Sequence, residues 1–322
     1  MRTSRRQFLT VMSTAAAAAA VPCPARAHTT FNIGTAVLGA YTLSAPVLVA
    51  VEKGFFKQQG VQAEFLPFRG GPDLVKAVVG GEVLVGLSES TDIILFREAG
   101  APIRMVATHG EGNDFVLVGP SEGVRMDDLK GKAIGVTRPG AATWVFARMT
   151  ARAEGWDADR DVKLVGLGGL DAQLAALARK EIAAFVWSDY GAVAQAQGRT
   201  KVIARMETLT PKWISYIQYA SEDQIRRHPD AIRRSQRALF QAMRWMKANP
   251  RDTAALVADT LGWTPEQVAA VHKVSVPLFA EDGRISMEAL KAMQDALLEE
   301  GAIKKRVALE DHYTTEFMPI KL

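Results

Sequence analysis

Gly119-Pro120-Ser121-Glu122-Gly123 has the spacing of a hydrolase nucleophile elbow, in which a serine sits on a strand-to-helix turn. The residues that follow, Val124 to Lys132, read as a turn or short helix before a new strand. The helix that an elbow needs is missing, so no catalytic serine is expected. Gly166-Leu167-Gly168-Gly169-Leu170-Asp171 approaches a dinucleotide loop but puts Asp where the third Gly belongs, and no Gly-rich loop ends in Lys-Ser/Thr. The histidines (His28, His109, His228, His272, His312) are scattered, with none at metal-ligand spacing. No pair of carboxylates stands out for acid/base work. The expectation is a protein that is not an enzyme and has no cofactor and no metal.

What remains is a set of turns between strands and helices. In a parallel α/β sheet, ligands lie beyond the carboxyl ends of the strands, where helix N-termini offer free N–H groups. Thr137-Arg138-Pro139-Gly140-Ala141-Ala142-Thr143 is such a turn, with small residues that let backbone approach an anion. The Arg138 side chain either adds a cation or is solvated on an ordinary tight turn. Ser88-Glu89-Ser90-Thr91 ends another strand, and its hydroxyls bind ligand or cap the next helix. Glu89 is odd for a pure anion site; it is either solvated or accepts from an amine or a ring N–H. Trp187 and Asp189 stand at the matching place later in the chain, where the aromatic ring stacks on a flat ligand or packs a hinge. Tyr41 offers an aromatic lid after the first strand, Gly71 opens a helix, and His109, Glu111, Asn113 and Asp114 come just before a lobe crossing.

These turns need elements to hold them. Gly70-Gly71-Pro72-Asp73 with its following helix and strand is echoed by Gly168-Gly169-Leu170-Asp171, about a hundred residues on. One βαβ unit used twice predicts two like lobes with a cleft between them. Strands at Phe31–Val37, Val61–Phe68, Val83–Leu87 and Ile103–Thr108 alternate with helices at Ser44–Gly60, Pro72–Gly80 and Thr91–Glu98, which predicts a parallel sheet covered on both faces. Phe115–Val118 is read as the first crossing. The grammar then repeats through Ala204, with a helix over Tyr190–Ala196, and Ile214–Tyr219 crosses back. Beyond Glu222 the chain is helical; Arg233, Arg234, Arg237 and Arg244 read as a solvated outer face, with a basic docking face for anionic partners as the alternative, and Thr264-Pro265-Glu266-Gln267 is a capping box. The boundaries expected are residues 28–114 with 220–322 for lobe I, and 115–219 for lobe II.

Residues 1–27 read as an export signal: Ser4-Arg5-Arg6-Gln7-Phe8-Leu9 is a twin-arginine pattern, an Ala-rich run follows, and Ala25-Arg26-Ala27 fits cleavage after Ala27. That segment holds four of the 39 basic residues and no acid, so the mature chain carries 35 basic against 35 acidic. The basic pI near 9.1 therefore belongs to the signal, and binding to nucleic acid through bulk charge loses its support. The single cysteine, Cys23, leaves with the signal, which excludes disulfides and thiolate chemistry from the mature protein.

Val51-Glu52-Lys53-Gly54-Phe55-Phe56-Lys57-Gln58-Gln59-Gly60-Val61 resembles a segment of the solute-binding proteins for nitrate, sulfonate, taurine and thiamine-precursor ABC transporters. Asp128-Leu129-Lys130-Gly131-Lys132-Ala133-Ile134-Gly135-Val136 is similar to their entry into the second lobe, as are the two Gly-Gly repeats. Leu84 departs from the family's usual Asp, and the cysteines of its pyrimidine-synthase members are absent. The resemblance implies the type II periplasmic binding protein fold, with two doubly wound lobes, two crossings and hinge closure on one small ligand. It implies a periplasmic monomer docking onto an ABC permease. The expected ligand is a small organic anion, sulfonate or carboxylate, held by Gly140–Thr143 and Ser88–Thr91. Glu89, Trp187 and Tyr41 favour a nitrogen heterocycle as the alternative; an enzyme on the same fold and a sensor partner are the other readings.

Overall fold

Two sheets of five strands share one order. The computed structural model describes residues 30–322, so the export signal and His28 lie outside the described residues. The first sheet holds β1 (Thr30–Thr35), β2 (Gln62–Pro67), β3 (Val85–Glu89), β4 (Ile103–Glu111) and β10 (Ile214–Ser221), ordered β2-β1-β3-β10-β4. The second holds β5 (Val116–Pro120), β6 (Ala133–Val136), β7 (Lys163–Gly166), β8 (Ala184–Trp187) and β9 (Thr200–Arg205), ordered β7-β6-β8-β5-β9. The duplicated βαβ unit thus sits at the same place in both lobes.

The sheets are mixed, not parallel throughout as expected. β10 runs antiparallel to β3 and β4, and β5 runs antiparallel to β8 and β9. Each reversed strand is the first one the chain lays down after crossing between lobes. Ile214–Tyr219 is accordingly no crossing: it lies in the first sheet, and the lobe boundary falls before Ile214 rather than after Tyr219. Every residue of β10 is buried. Polar groups on it find partners inside: Ser215 Oγ donates to the Glu111 and Gly112 carbonyls, and Gln218 Nε2 donates to His109 Nδ1, although Gln218 Oε1 stays unpartnered.

Helices cover both sheets: α1 (Tyr41–Glu52), α2 (Phe55–Gln58), α3 (Gly71–Val79) and α4 (Thr91–Glu98) in the first lobe, then α5 (Ala142–Ala153), α6 (Leu170–Ala178) and α7 (Ala192–Ala196) in the second. The C-terminal part adds α8 (Glu222–Arg227), α9 (Pro229–Ala248), α10 (Pro250–Leu261), α11 (Pro265–Ser275) and α12 (Met287–Glu299) to the first lobe. The single helix expected over 44–60 is two, because Gly54 adopts φ 70° and ends the first. The helix expected from Tyr190 begins at Ala192, because Tyr190 itself has φ 51°. On α9 the spaced Ile232, Leu239, Phe240, Met243 and Met246 are buried, each worth about 1.5–3 kcal/mol, while Arg234, Arg237 and Arg244 are exposed. Thr264 and Gln267 form the expected reciprocal cap on α11.

Candidate functional site

The N-terminus of α1 is where the two lobes grip each other. Its capping position is Ala40, which has no oxygen to offer the first N–H groups. Asp189, from the second lobe, fills that role. Its Oδ2 accepts from Tyr41 N at 2.7 Å, and its Oδ1 accepts from Thr42 N at 3.3 Å, Thr42 Oγ1 at 2.7 Å and Ser275 Oγ at 2.8 Å. Burial pushes the Asp189 pKa up and these donors oppose it; since every polar partner donates, the site is built to hold the carboxylate form. The Asp189 N–H in turn donates to Asp114 Oδ2 at 2.9 Å, and the Tyr216 hydroxyl donates to the same oxygen at 2.6 Å. One chain of bonds therefore links α1, the first crossing and β10.

His109 serves the same helix. Pro46 lies inside α1 and has no N–H, so the Thr42 carbonyl four residues earlier loses its helical donor. His109 Nε2 supplies the missing hydrogen at 2.9 Å, while its Nδ1 accepts from Gln218. Burial pulls its pKa down to about 4, so it is held neutral, with both ring nitrogens engaged inside the protein. Tyr41, the expected lid, is likewise engaged inside. It is buried, its hydroxyl bonds His272 Nδ1 at 2.7 Å, and burial with the nearby Asp189 charge drives its pKa far up.

Around Asp189 the interior is acidic. Glu89, Asp92, Asp114 and Asp189 are all buried. Burial pushes Glu89 up to about 7, with the Asp189 charge adding to it, and pushes Asp114 up to about 8, again helped by Asp189. Asp92 is also raised well above the usual range by burial and by Glu89. Asp114 Oδ1 has no hydrogen-bond partner, and the Asp92 carboxylate has only the nearby Ser88 hydroxyl, out of good hydrogen-bond geometry, to oppose its shift. The buried basic side chains among the described residues are Arg148, His109, His272 and His312. Arg148 is paired with Asp159, and burial lowers all three histidines. No buried cation is left to balance the four acids. Gly71, expected to touch ligand, instead makes room for Asp92: a Cβ there would fall 1.8 Å from Asp92 Oδ2. Ser90 Oγ donates to the Ile214 carbonyl, tying the turn to β10, and Ser88 Oγ donates to the Glu89 carbonyl at 3.2 Å. Thr91 Oγ1 is buried and unpartnered at the start of α4.

The second lobe contributes a different surface. Thr143 Oγ1 accepts from Thr137 N at 2.9 Å and meets Thr137 Oγ1 at 2.8 Å, which fixes the turn. Gly140 takes φ 79°, and Ala141 stands at the capping position of α5 with no side-chain cap. Ala141, Ala142 and Thr143 are buried. Arg138 does not point at this helix start. It crosses to the first lobe, pairing with Asp73 at 2.8 Å and donating from Nε to the Arg69 carbonyl at 3.1 Å. Trp187 is buried beside Gly39, whose added Cβ would lie 3.5 Å from its ring, so its observed contact is interlobe packing.

Of the expected residues, Tyr41, Arg138, Trp187 and Asp189 make contacts between the lobes and the Asp189 charge reaches Glu89, while Gly71, Ser90 and His109 hold structure within the first lobe and Thr137 and Thr143 fix the turn around Gly140 in the second. Sequence reasoning missed Thr42, Asp92, Ser275 and His272. Asp92 carried a signal, since it follows Glu89 by three residues at a strand-to-helix turn. Ser121 is exposed on a turn beside Glu122, without the helix of a nucleophile elbow. Among the described residues no group of three or more His, Cys, Asp or Glu could hold a metal, and no helix is long and apolar enough to cross a membrane.

This arrangement has known counterparts. A protein of Brucella abortus (strain 2308), provisionally named a binding protein, is 25% identical over 285 residues, covering 85% of this chain and 87% of its own. The alkanesulfonate-binding protein SsuA from Xanthomonas axonopodis pv. citri, solved with MOPS bound, superposes with a TM-score of 0.73 at 19% identity over 88% of this chain and 98% of its own. The desulfurization enzyme DszB does so at 0.61, with 18% identity over 89% and 97%, so the fold alone does not separate binding from catalysis. The profile described as NMT1/THI5 like matches residues 42–253, and with two lobes of one strand order this chain belongs to the NMT1/THI5-like family and has the periplasmic binding protein fold.

Proposed function

We propose that this chain is the periplasmic substrate-binding component of an ABC importer and that its ligand carries a protonated amine or an N–H-rich ring. The observation that carries the ligand class is the set of four buried carboxylates, three of whose oxygens lack a well-formed hydrogen bond, with no unpaired buried cation among the described residues. A cation or ring N–H entering the cleft satisfies those oxygens and lets the acids ionise. An organic anion at Ser88–Thr91, the ligand first expected there, meets Glu89 and Asp92 instead of a donor set. Arg138 gives it no help, being committed to Asp73.

A second reading keeps an anionic group at the start of α5, where Ala141 provides no cap. A taurine-like zwitterion combines both, with its amine toward the acids and its sulfonate toward α5. The protein works as a monomer that delivers ligand to permease subunits, without cofactor or nucleic acid, after twin-arginine export and cleavage following Ala27. Closure is then limited by the ligand's preference for the closed over the open form.

Calorimetric titration of the ligand-free mature protein with amines, aminopyrimidines, aminosulfonates and plain alkanesulfonates tests the ligand class. The affinity of a cation should rise between pH 6 and pH 8, as Glu89 and Asp114 become easier to ionise. Saturable binding of plain alkanesulfonates with silence from every nitrogen-bearing compound would sink the reading.

A further inference from the structure

Asp189 reaches α1 from an unusual backbone. Asp189 and Tyr190 both lie in the left-handed region, at φ 54° and 51°, a conformation that tyrosine in particular adopts at a cost. Asp114 holds that turn twice, accepting from Asp189 N at its side chain and from Tyr190 N at its carbonyl, at 2.9 and 2.8 Å. The product of the turn is a carboxylate delivered to four donors at the start of a twelve-residue helix that has no cap of its own. Beside it, Asp114 Oδ1 is fully buried without a partner.

We propose that Asp189 determines ligand specificity as an anion built into the chain: it occupies the anion-binding start of α1 from across the cleft, so that this start excludes anions from solution and the cleft selects for a cation. The lobe I helix start that could take a carboxylate or sulfonate is filled in cis. Remove that carboxylate and the same donors take a small carboxylate from solution. The inference rests on the cationic-ligand reading for its meaning in selection, but the vacancy itself is testable without any ligand.

Asp189→Gly is the variant of choice, because glycine keeps φ near 54° without strain. Its thermal midpoint should fall below that of the parent and climb saturably in sodium formate relative to sodium chloride at equal ionic strength. At 100 times the half-saturating concentration the rise should be roughly 5 °C. The parent protein and Asp189→Asn, which fills the same space without charge, should show no such rise. A glycine variant indifferent to formate overturns the proposal. So does an equal response from the parent or the asparagine variant, which would put formate elsewhere. Should the glycine variant fail to fold in chloride, rescue is read as recovery of native circular dichroism in formate, and no recovery overturns the proposal. Rescue by formate together with tight alkanesulfonate binding by the parent would leave Asp189's occupancy standing and sink the cationic-ligand reading instead.

Discussion

Glu89→Gln should stabilise the ligand-free protein at pH 8.5 and change little at pH 4. The Glu89 carboxyl is held at about 7 against an ordinary 4.5, chiefly by burial, with the Asp189 charge adding and a backbone hydrogen bond opposing. In the unfolded chain the group ionises near its ordinary value; in the folded protein it resists until about 7. Across that window unfolding releases a proton, so the group's contribution to stability falls as pH rises from about 4.5 to 7 and then levels off. A displacement of that size corresponds to roughly 3 kcal/mol above pH 7. Glutamine keeps the shape and cannot ionise, so the variant escapes this penalty. It also relieves Asp92, whose pKa Glu89 helps to raise. Urea unfolding at pH 4 and pH 8.5, on both proteins stripped of ligand by unfolding and refolding, measures the difference. A gap between variant and parent that stays constant over that pH range refutes the reasoning. The same substitution should weaken a cationic ligand about tenfold or more, so stability and binding move in opposite directions at one residue.

Three other outcomes follow from the same contacts. His109→Leu should cost about 1–3 kcal/mol by stranding the Thr42 carbonyl and Gln218; in a Pro46→Ala background the cost should shrink, because residue 46 regains its N–H, and a double-mutant cycle with zero coupling contradicts the pairing. Arg138→Ala removes a part-exposed interlobe ion pair worth about 0–1 kcal/mol, so small-angle scattering of the ligand-free protein should show at most a modest shift toward open forms; complete opening would mean that Asp189 is not the main tie. Tyr41→Phe should lower stability by about 1 kcal/mol through the lost His272 bond and leave ligand affinity unchanged, whereas a tenfold loss of affinity places that hydroxyl in the site.

The architecture was legible because repeats and periodicity are local. Gly70-Gly71 and Gly168-Gly169 predicted two like lobes, and the shared strand order bears that out. Strand direction was not legible in β10: a strand sandwiched between two neighbours was read as a crossing, since nothing local says that Ser215 and Gln218 find partners inside. The candidate site was legible as positions and not as chemistry. Turns that end strands were found correctly, but what each side chain does depends on a partner far along the chain. Asp189 and Tyr41 are 148 residues apart, and His109 and Thr42 are 67 apart. Both of these pairings did have a local cause. A proline at position 46 guarantees an orphan carbonyl at position 42, and an alanine at position 40 guarantees a helix start without a cap of its own. Sequence alone therefore states two needs at the head of α1, a donor and an acceptor, without naming who meets them. The fold answers with a neutral histidine and a carboxylate from the other lobe. Because that carboxylate crosses the cleft, the requirement of one helix becomes a tie between lobes, and any ligand must bind in the field that the tie creates.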